Sequence, residues 1–172
     1  MAALATHKDG PAELCELTEK NVGQLKVLQS VIFPVKYNDR FYTNLVNAPS
    51  ELSRLAFYGD AAVGAVCCRE DLNEKNKPNG KLYIMTLGVL SPYRRLGIGR
   101  QLLNYVLTEL APKRPGIHSI YLHVHIENLA AIEFYKMAGF EVTERLENYY
   151  SKLTPSDCFI LTKVIGSPGT PQ

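Results

Sequence analysis

Apolar and polar positions recur along this chain with two different periods, and the places where the period changes mark its elements. The stretch 12–17 reads as a short strand. Thr18 then stands where a helix cap belongs, ahead of a helix over 21–32 with Val22, Leu25, Leu28, Gln29 and Ile32 at helical spacing. The segment 33–38 is a loop, because Pro34 has no N–H to donate and restricts Phe33. A second short helix is predicted over 39–46. Two strands follow at 52–58 and 61–70, joined at Gly59-Asp60 as a hairpin. The polar stretch 73–80 is a loop. A strand over 81–90 leads to a long helix at 97–110, whose stripe is Ile98, Leu102, Val106 and Leu110, with Leu103 and Leu107 beside it. A strand at 117–126 precedes a helix at 129–138 that stops at Gly139. Strands at 141–146 and 159–164 close the pattern. A meander that gives way to alternating strands and helices predicts an α/β domain, a mixed central sheet of about seven strands flanked by about four helices.

A chain of 172 residues suits one domain, expected over 11–165, with flexible ends at 1–10 and 166–172. Its 46% hydrophobic and 21% charged residues fit a globular protein. The formal net charge is +2 and basic residues such as Lys113-Arg114 come only in isolated pairs, so no nucleic-acid partner is expected. No run reaches the roughly 18 apolar residues of a membrane span, and the first ten residues lack the apolar centre of a secretory signal. Cys15, Cys67, Cys68 and Cys158 have no zinc spacing, and the adjacent pair points to opposite faces of a strand. Free thiols in the cytosol are the expected reading.

Two stretches carry candidate chemistry. Arg94-Arg95-Leu96-Gly97-Ile98-Gly99-Arg100 lies between a strand and a helix, with Pro92 and Tyr93 making the turn. Glycines there leave backbone N–H groups uncovered, and a helix start offers unpaired donors that suit a pyrophosphate. The spacing lacks the Lys-Ser or Lys-Thr of an NTPase phosphate loop and the third glycine of a dinucleotide fingerprint. In the second stretch, strand parity puts Tyr121, His123 and His125 on one face. Asn128 sits where it can cap the next helix, and Ala131 and Tyr135 share one face of that helix. His123 and His125 make a fragment of a metal site, but no third ligand is suitably spaced, so no metal is expected.

The first stretch resembles the Arg/Gln-x-x-Gly-x-Gly/Ala signature of the GCN5-related N-acetyltransferases, and Asn128, Ala131 and Tyr135 resemble the family's Asn-x-x-Ala-x-x-x-Tyr. Phe33-Pro34-Val35-x-Tyr37-Asn38, Tyr83-Ile84-Met85-Thr86-Leu87-Gly88, Tyr121-Leu122-His123-Val124 and Asn148-Tyr149-Tyr150 narrow the resemblance to the San-type N-terminal acetyltransferases, the catalytic subunits of NatE activity. It covers roughly 17–163. Departures are His125 where Gln is expected, Arg100 where a small residue is expected, and the stretches 71–80 and 113–116.

The resemblance implies transfer of acetyl from acetyl-CoA, without a metal, to the α-amine of proteins that keep their initiator Met before a hydrophobic or bulky residue. It places the cofactor on Leu87, Gly88, Val89, Arg94, Arg95, Leu96, Gly97, Ile98, Gly99, Arg100, Asn128, Ala131 and Tyr135. The peptide falls to Phe33, Pro34, Val35, Tyr37, Met85, Tyr149 and Tyr150, and proton removal, through an ordered water, to Tyr83 and His123. Nascent or mature protein N-termini and the NatA subunits at the ribosome are the implied partners, in the cytoplasm and also in the nucleus. An α-amine with a pKa of about 7.7–8.0 needs only a weak base, so His123, near 6.5 when unperturbed, suits the work better than a phenol near 10. Lysine or small-amine acetylation, and a weakly catalytic scaffold that binds acetyl-CoA, are the alternative functions.

Overall fold

The chain's computed structural model describes residues 10–72 and 80–165. The loop expected over 73–79 and the ends 1–9 and 166–172 lie outside them. In chain order the elements are β1 (Glu13–Glu16), α1 (Val22–Ile32), α2 (Asp39–Asn47), β2 (Ser53–Tyr58), β3 (Ala61–Asp71), β4 (Gly80–Val89), α3 (Ile98–Tyr105), β5 (Ile117–His125), α4 (Leu129–Met137), β6 (Glu141–Leu146) and β7 (Cys158–Val164). The strands form a seven-stranded sheet in the order β1-β2-β3-β4-β5-β7-β6. It is mixed: β4 and β5 run parallel, whereas β1–β2, β2–β3, β5–β7 and β6–β7 are antiparallel.

Three local predictions are corrected. Thr18 does not cap α1 with its hydroxyl; its carbonyl accepts from the N–H groups of Asn21 and Val22. The Asn21 side chain instead accepts from the Thr18 N–H at 2.8 Å and donates to the Glu16 carbonyl at 2.9 Å, folding the entry turn on itself. The long helix is regular only to Tyr105, and Val106–Leu110 is a π-helical turn followed by a 3-10 turn over Ala111–Lys113. Pro112 has no N–H for the Thr108 carbonyl and its ring would crowd it, so the helix ends in a wider turn that the Ala111 N–H closes on Val106. Gly80, expected in a loop, begins β4, its N–H donating to the Gly116 carbonyl at 3.0 Å.

The residues divide into two compact units, and β4 passes from one to the other between Met85 and Thr86. In the unit of residues 10–68 and 86–113, α1 buries Leu25 and Leu28, α3 buries Ile98, Leu102 and Leu103, and β2 and β3 bury Leu55, Val63 and Val66. Each such side chain contributes about 1.5–3 kcal/mol relative to exposure. Gln101 on α3 holds the segment just before β1 in place, accepting from the Ala12 N–H at 3.1 Å and donating to its carbonyl at 2.7 Å. Arg54 is buried with its guanidinium 4.5 Å from the centre of the Tyr105 ring and 3.6 Å from the Glu16 carboxylate. Cys67 and Cys68 lie fully inside.

The unit of residues 69–85 and 114–165 is built on β5, which alternates as the parity of its sequence predicts. Ile120, Leu122 and Val124 are buried, and Tyr121, His123 and His125 are half-buried on the other face. Helix α4 ends at Gly139, whose φ of 87° lets the Phe140 N–H reach back to the Tyr135 carbonyl.

Candidate active site

Strand β4 presents Tyr83, Met85 and Leu87 half-buried on one face and sinks Leu82, Ile84 and Thr86 on the other. Its register with β5 sets Tyr83 opposite Tyr121. The Tyr83 hydroxyl thereby comes 2.9 Å from Nδ1 of His123, the two rings meeting edge to face at 5.3 Å. Tyr149 stacks on the other polar ring, lying parallel to His123 at 4.6 Å. Tyr150 meets Tyr149 edge-on at 4.9 Å. One small patch thus joins the two residues expected to remove the amine proton and two of those expected to hold the peptide.

Charge is unwelcome on both members of the central pair. Burial, and then the neighbouring Tyr149 hydroxyl, push the Tyr83 phenol far above its ordinary range. Burial lowers the His123 pKa, with Glu144 opposing it. The imidazole therefore stays neutral at working pH and can take a proton, while the phenol cannot serve as a base by first losing its own. A hydroxyl that donates to Nδ1 can still relay a proton, accepting one as it hands its own on.

The connection from β6 to β7 carries Tyr149 and Tyr150 and is tied at both ends. Arg145 pairs with Asp157 at 2.6 Å, and the Asp157 carboxylate accepts from the Asn148 N–H at 3.1 Å. The Tyr150 N–H donates to the Ser156 carbonyl at 2.8 Å. His125 belongs to this tie: its Nε2 lies 2.6 Å from the Pro155 carbonyl and its Nδ1 accepts from the Glu127 N–H at 3.3 Å. Among the described residues no three His, Cys, Asp or Glu side chains gather as metal ligands.

In the other unit, the turn after β4 leads into a helix start whose backbone N–H groups no side chain covers. Ser91–Tyr93 forms a 3-10 turn, the Arg94 Nε donates to the Val89 carbonyl at 2.9 Å, and Arg95 takes a φ of 63°. Gly97 then caps α3 at φ 87°, a conformation that favours glycine, and no side chain caps the first turn. Uncapped N–H groups at a helix start suit a phosphate oxygen. The expected contact residues divide by what they can offer there. Ile98 is buried, so only its backbone is available, whereas Leu96 and Arg100 are exposed. On α4, Asn128 spends its side-chain oxygen on the Ala131 N–H at 3.2 Å, and Tyr135 is buried edge-on against Phe140.

The loop after α1 leans on β4. A Cβ at Gly88 would lie 2.6 Å from Cγ2 of Ile32 and 3.0 Å from Cζ of Phe33, so only glycine lets this loop approach the strand so closely. Buried Gln29 adds a second tie, its amide donating to the Thr86 hydroxyl at 3.0 Å. Pro34 and Val35 are exposed, and Tyr37 stacks on Phe41 at 4.4 Å. The Asn38 side chain caps α2 by accepting from the Phe41 N–H at 3.0 Å. Sequence reasoning missed both ties, because Gln29 reads as one more position on the buried face of a helix and Gly88 as part of a cofactor strand.

It also missed a group beside Tyr83. Arg69 and Asp71, two apart on β3, form an ion pair at 2.8 Å, and the Tyr121 hydroxyl donates to the other Asp71 oxygen in a short contact. The one signal available was the parity that puts both charges on one face of a strand.

Comparison with known proteins identifies the family. Residues 22–140 match the acetyltransferase (GNAT) family. The chain is 49% identical to N-alpha-acetyltransferase 50 of Danio rerio over 162 residues, covering 94% of each. It is also 49% identical to the probable N-acetyltransferase san of Drosophila melanogaster, covering 89% of this chain and 80% of that one. Arabidopsis thaliana Naa50, solved with the bisubstrate analogue CoA-Ac-MVNAL, superposes with a TM-score of 0.81 at 45% identity, over 89% of this chain and 98% of that chain.

Proposed function

Since the chain belongs to the acetyltransferase (GNAT) family, in the branch of N-alpha-acetyltransferase 50 and San, we propose that it moves acetyl from acetyl-CoA to the α-amine of proteins with a retained initiator Met. The observation that carries this reading is the Tyr83–His123 contact of 2.9 Å under the stacked Tyr149. A neutral imidazole suits an amine of pKa about 7.7–8.0, which needs little help to lose its proton, far better than a lysine near 10.4. The Met-starting peptide in the analogue bound by the Arabidopsis protein supports the same substrate.

Acetyl-CoA supplies the activated thioester. The uncapped first turn of α3, with Gly97 and Gly99 at its start, is the proposed holder of its pyrophosphate; the family resemblance assigns further contacts to Asn128, Ala131 and Tyr135 and to backbone at Leu87, Gly88 and Val89. Direct attack forms the N–C bond and breaks the C–S bond. The amine proton leaves through water to the Tyr83 hydroxyl as that hydroxyl passes its own proton to Nδ1 of His123. Backbone N–H near Leu87 and Gly88 meets the negative charge that develops on the carbonyl oxygen. Holding the two substrates side by side accounts for much of the rate without a covalent enzyme intermediate.

The Met side chain is assigned to Phe33, Pro34, Val35, Tyr37 and Met85, and the peptide backbone to Tyr149 and Tyr150. The expected place of work is the cytoplasm, on nascent or mature N-termini. Partnership with NatA subunits at the ribosome, and a nuclear pool, rest on the family resemblance. The test is a peptide panel. Met-Leu should exceed Ser-starting peptides by about tenfold to a hundredfold, the worth of roughly 1.5–3 kcal/mol of apolar burial, and an internal lysine should trail further. Equal turnover of all three would remove the N-terminal assignment.

A further inference from the structure

Tyr83 is flanked on both sides. In the strand order β3-β4-β5 its neighbours are Arg69 on one side and Tyr121 on the other. The Tyr121 ring stacks on it at 4.7 Å with 14° between planes, and the Arg69 guanidinium lies 5.1 Å from its ring centre. These two flanking groups are joined by a single side chain. Asp71 accepts from Arg69 Nε at 2.8 Å through Oδ1, and from the Tyr121 hydroxyl through Oδ2. We propose that Asp71 is a positioning residue for acetyl transfer: it closes a bracket, Arg69–Asp71–Tyr121, around the Tyr83 ring and so aims the Tyr83 hydroxyl at His123.

An ionised carboxylate is an acceptor only, so the Tyr121 hydroxyl must donate to it and has one direction open to it. Burial works against that ionised form, but the hydrogen bonds from Arg69 and Tyr121 outweigh it and hold Asp71 below its ordinary range. The Tyr121 phenol is in turn pushed up to about 12 by burial and by Asp71, which keeps its proton in place. The bracket is therefore fixed across the working pH range. Hydrogen bonds weaken steeply as their angle departs from linear. A phenol's O–H lies in the plane of its ring, and the Tyr83 ring has a broad torsional well about its last bond, so what lies against its faces sets the plane in which the hydroxyl donates.

The inference rests on the proposed proton path through Tyr83 and His123, and its experiment separates the two. Steady-state kinetics on a Met-Leu peptide would compare Asp71→Ala, Asp71→Asn, Tyr121→Phe and Tyr83→Phe, with Asp71→Ala repeated in the Tyr83→Phe background. Asp71→Ala should cut kcat about tenfold or more while the KM for acetyl-CoA stays the same. Asp71→Asn, which still accepts from Tyr121 but no longer pairs with a guanidinium, should lose less. Tyr121→Phe should follow Asp71→Ala. With no hydroxyl left to aim, Asp71→Ala should cost nothing further in the Tyr83→Phe background. The same loss in both backgrounds, or an unimpaired Asp71→Asn together with an unimpaired Tyr121→Phe, would overturn the positioning role and leave the proton path standing. A Tyr83→Phe enzyme with full kcat would overturn both. Should Asp71→Ala fail to fold, Asp71→Asn and Tyr121→Phe carry the same comparison.

Discussion

Gly88→Ala puts the proposed Met pocket to a quantitative test. The backbone at Gly88 is not left-handed, so alanine meets no conformational penalty, and the whole effect must come from contact. The new methyl would lie 2.6 Å from Cγ2 of Ile32, 3.0 Å from Cζ of Phe33 and 3.5 Å from its Cε2. Carbon atoms rest at about 3.5–4.0 Å, so the end of α1 must retreat by roughly 1 Å. Overpacking of that kind costs about 1–3 kcal/mol of stability. A wall withdrawn by roughly 1 Å forfeits about a quarter to a half of its contact energy with a bound Met side chain. Applied to about 1.5–3 kcal/mol of burial, the loss is roughly 0.4–1.5 kcal/mol, or about twofold to thirteenfold in preference for Met-Leu over Ser-starting peptides. The assay is kcat/KM on both peptides, with urea unfolding alongside to follow stability. A folded Gly88→Ala enzyme with undiminished preference would refute the assignment of Phe33 as a wall of the pocket. A loss confined to the KM for acetyl-CoA would move the role of Gly88 entirely to the cofactor.

Other outcomes follow from the same geometry. Gly99→Asp places bulk and negative charge at the start of α3 and should weaken acetyl-CoA binding sharply, as read by calorimetric titration, in a protein that remains folded. His123→Ala should reduce kcat on a Met-Leu peptide by about a hundredfold. Because burial lowers the His123 pKa, the imidazole loses its receptive neutral form only below the usual value, so the acid limb of kcat should fall below pH about 6.5 and disappear in His123→Ala. Gln101→Leu deletes both bonds to Ala12 and should lower unfolding free energy by about 1–3 kcal/mol in urea melts.

What could be read from the sequence was what depends on near neighbours. Tyr121, His123 and His125 share a face because strand parity is local, and the stop at Gly139 needs only its own φ. The glycine turn into α3 is legible for the same reason, since Gly97 acts within one turn of chain. The π-helical turn at Val106–Leu110 shows the limit of periodicity, for the apolar stripe continues through it unchanged while the backbone hydrogen bonds slip to a wider ring. The Tyr83–His123 contact spans 40 residues, and only family resemblance brought the two together in advance. Asp71 and Tyr121 are 50 residues apart and meet through the strand order of the finished sheet, which no local pattern encodes. The role of Gly88 depends on how closely α1 lies on β4, a distance rather than a residue type.

The four cysteines bear on the hazard of handling a thioester. A thiolate near an activated acetyl group would be acetylated itself, in competition with the peptide. Here burial pushes all four thiols up, Cys158 to about 11 and Cys68 well above its ordinary value, with Cys15 and Cys67 also raised. Cys67, Cys68 and Cys158 have almost no surface from which to react. Because the thiolate rather than the thiol is the nucleophile, thiols held protonated in this way make poor acceptors for the acyl donor. Prolonged incubation with acetyl-CoA should leave its cysteines unmodified in an intact-mass spectrum.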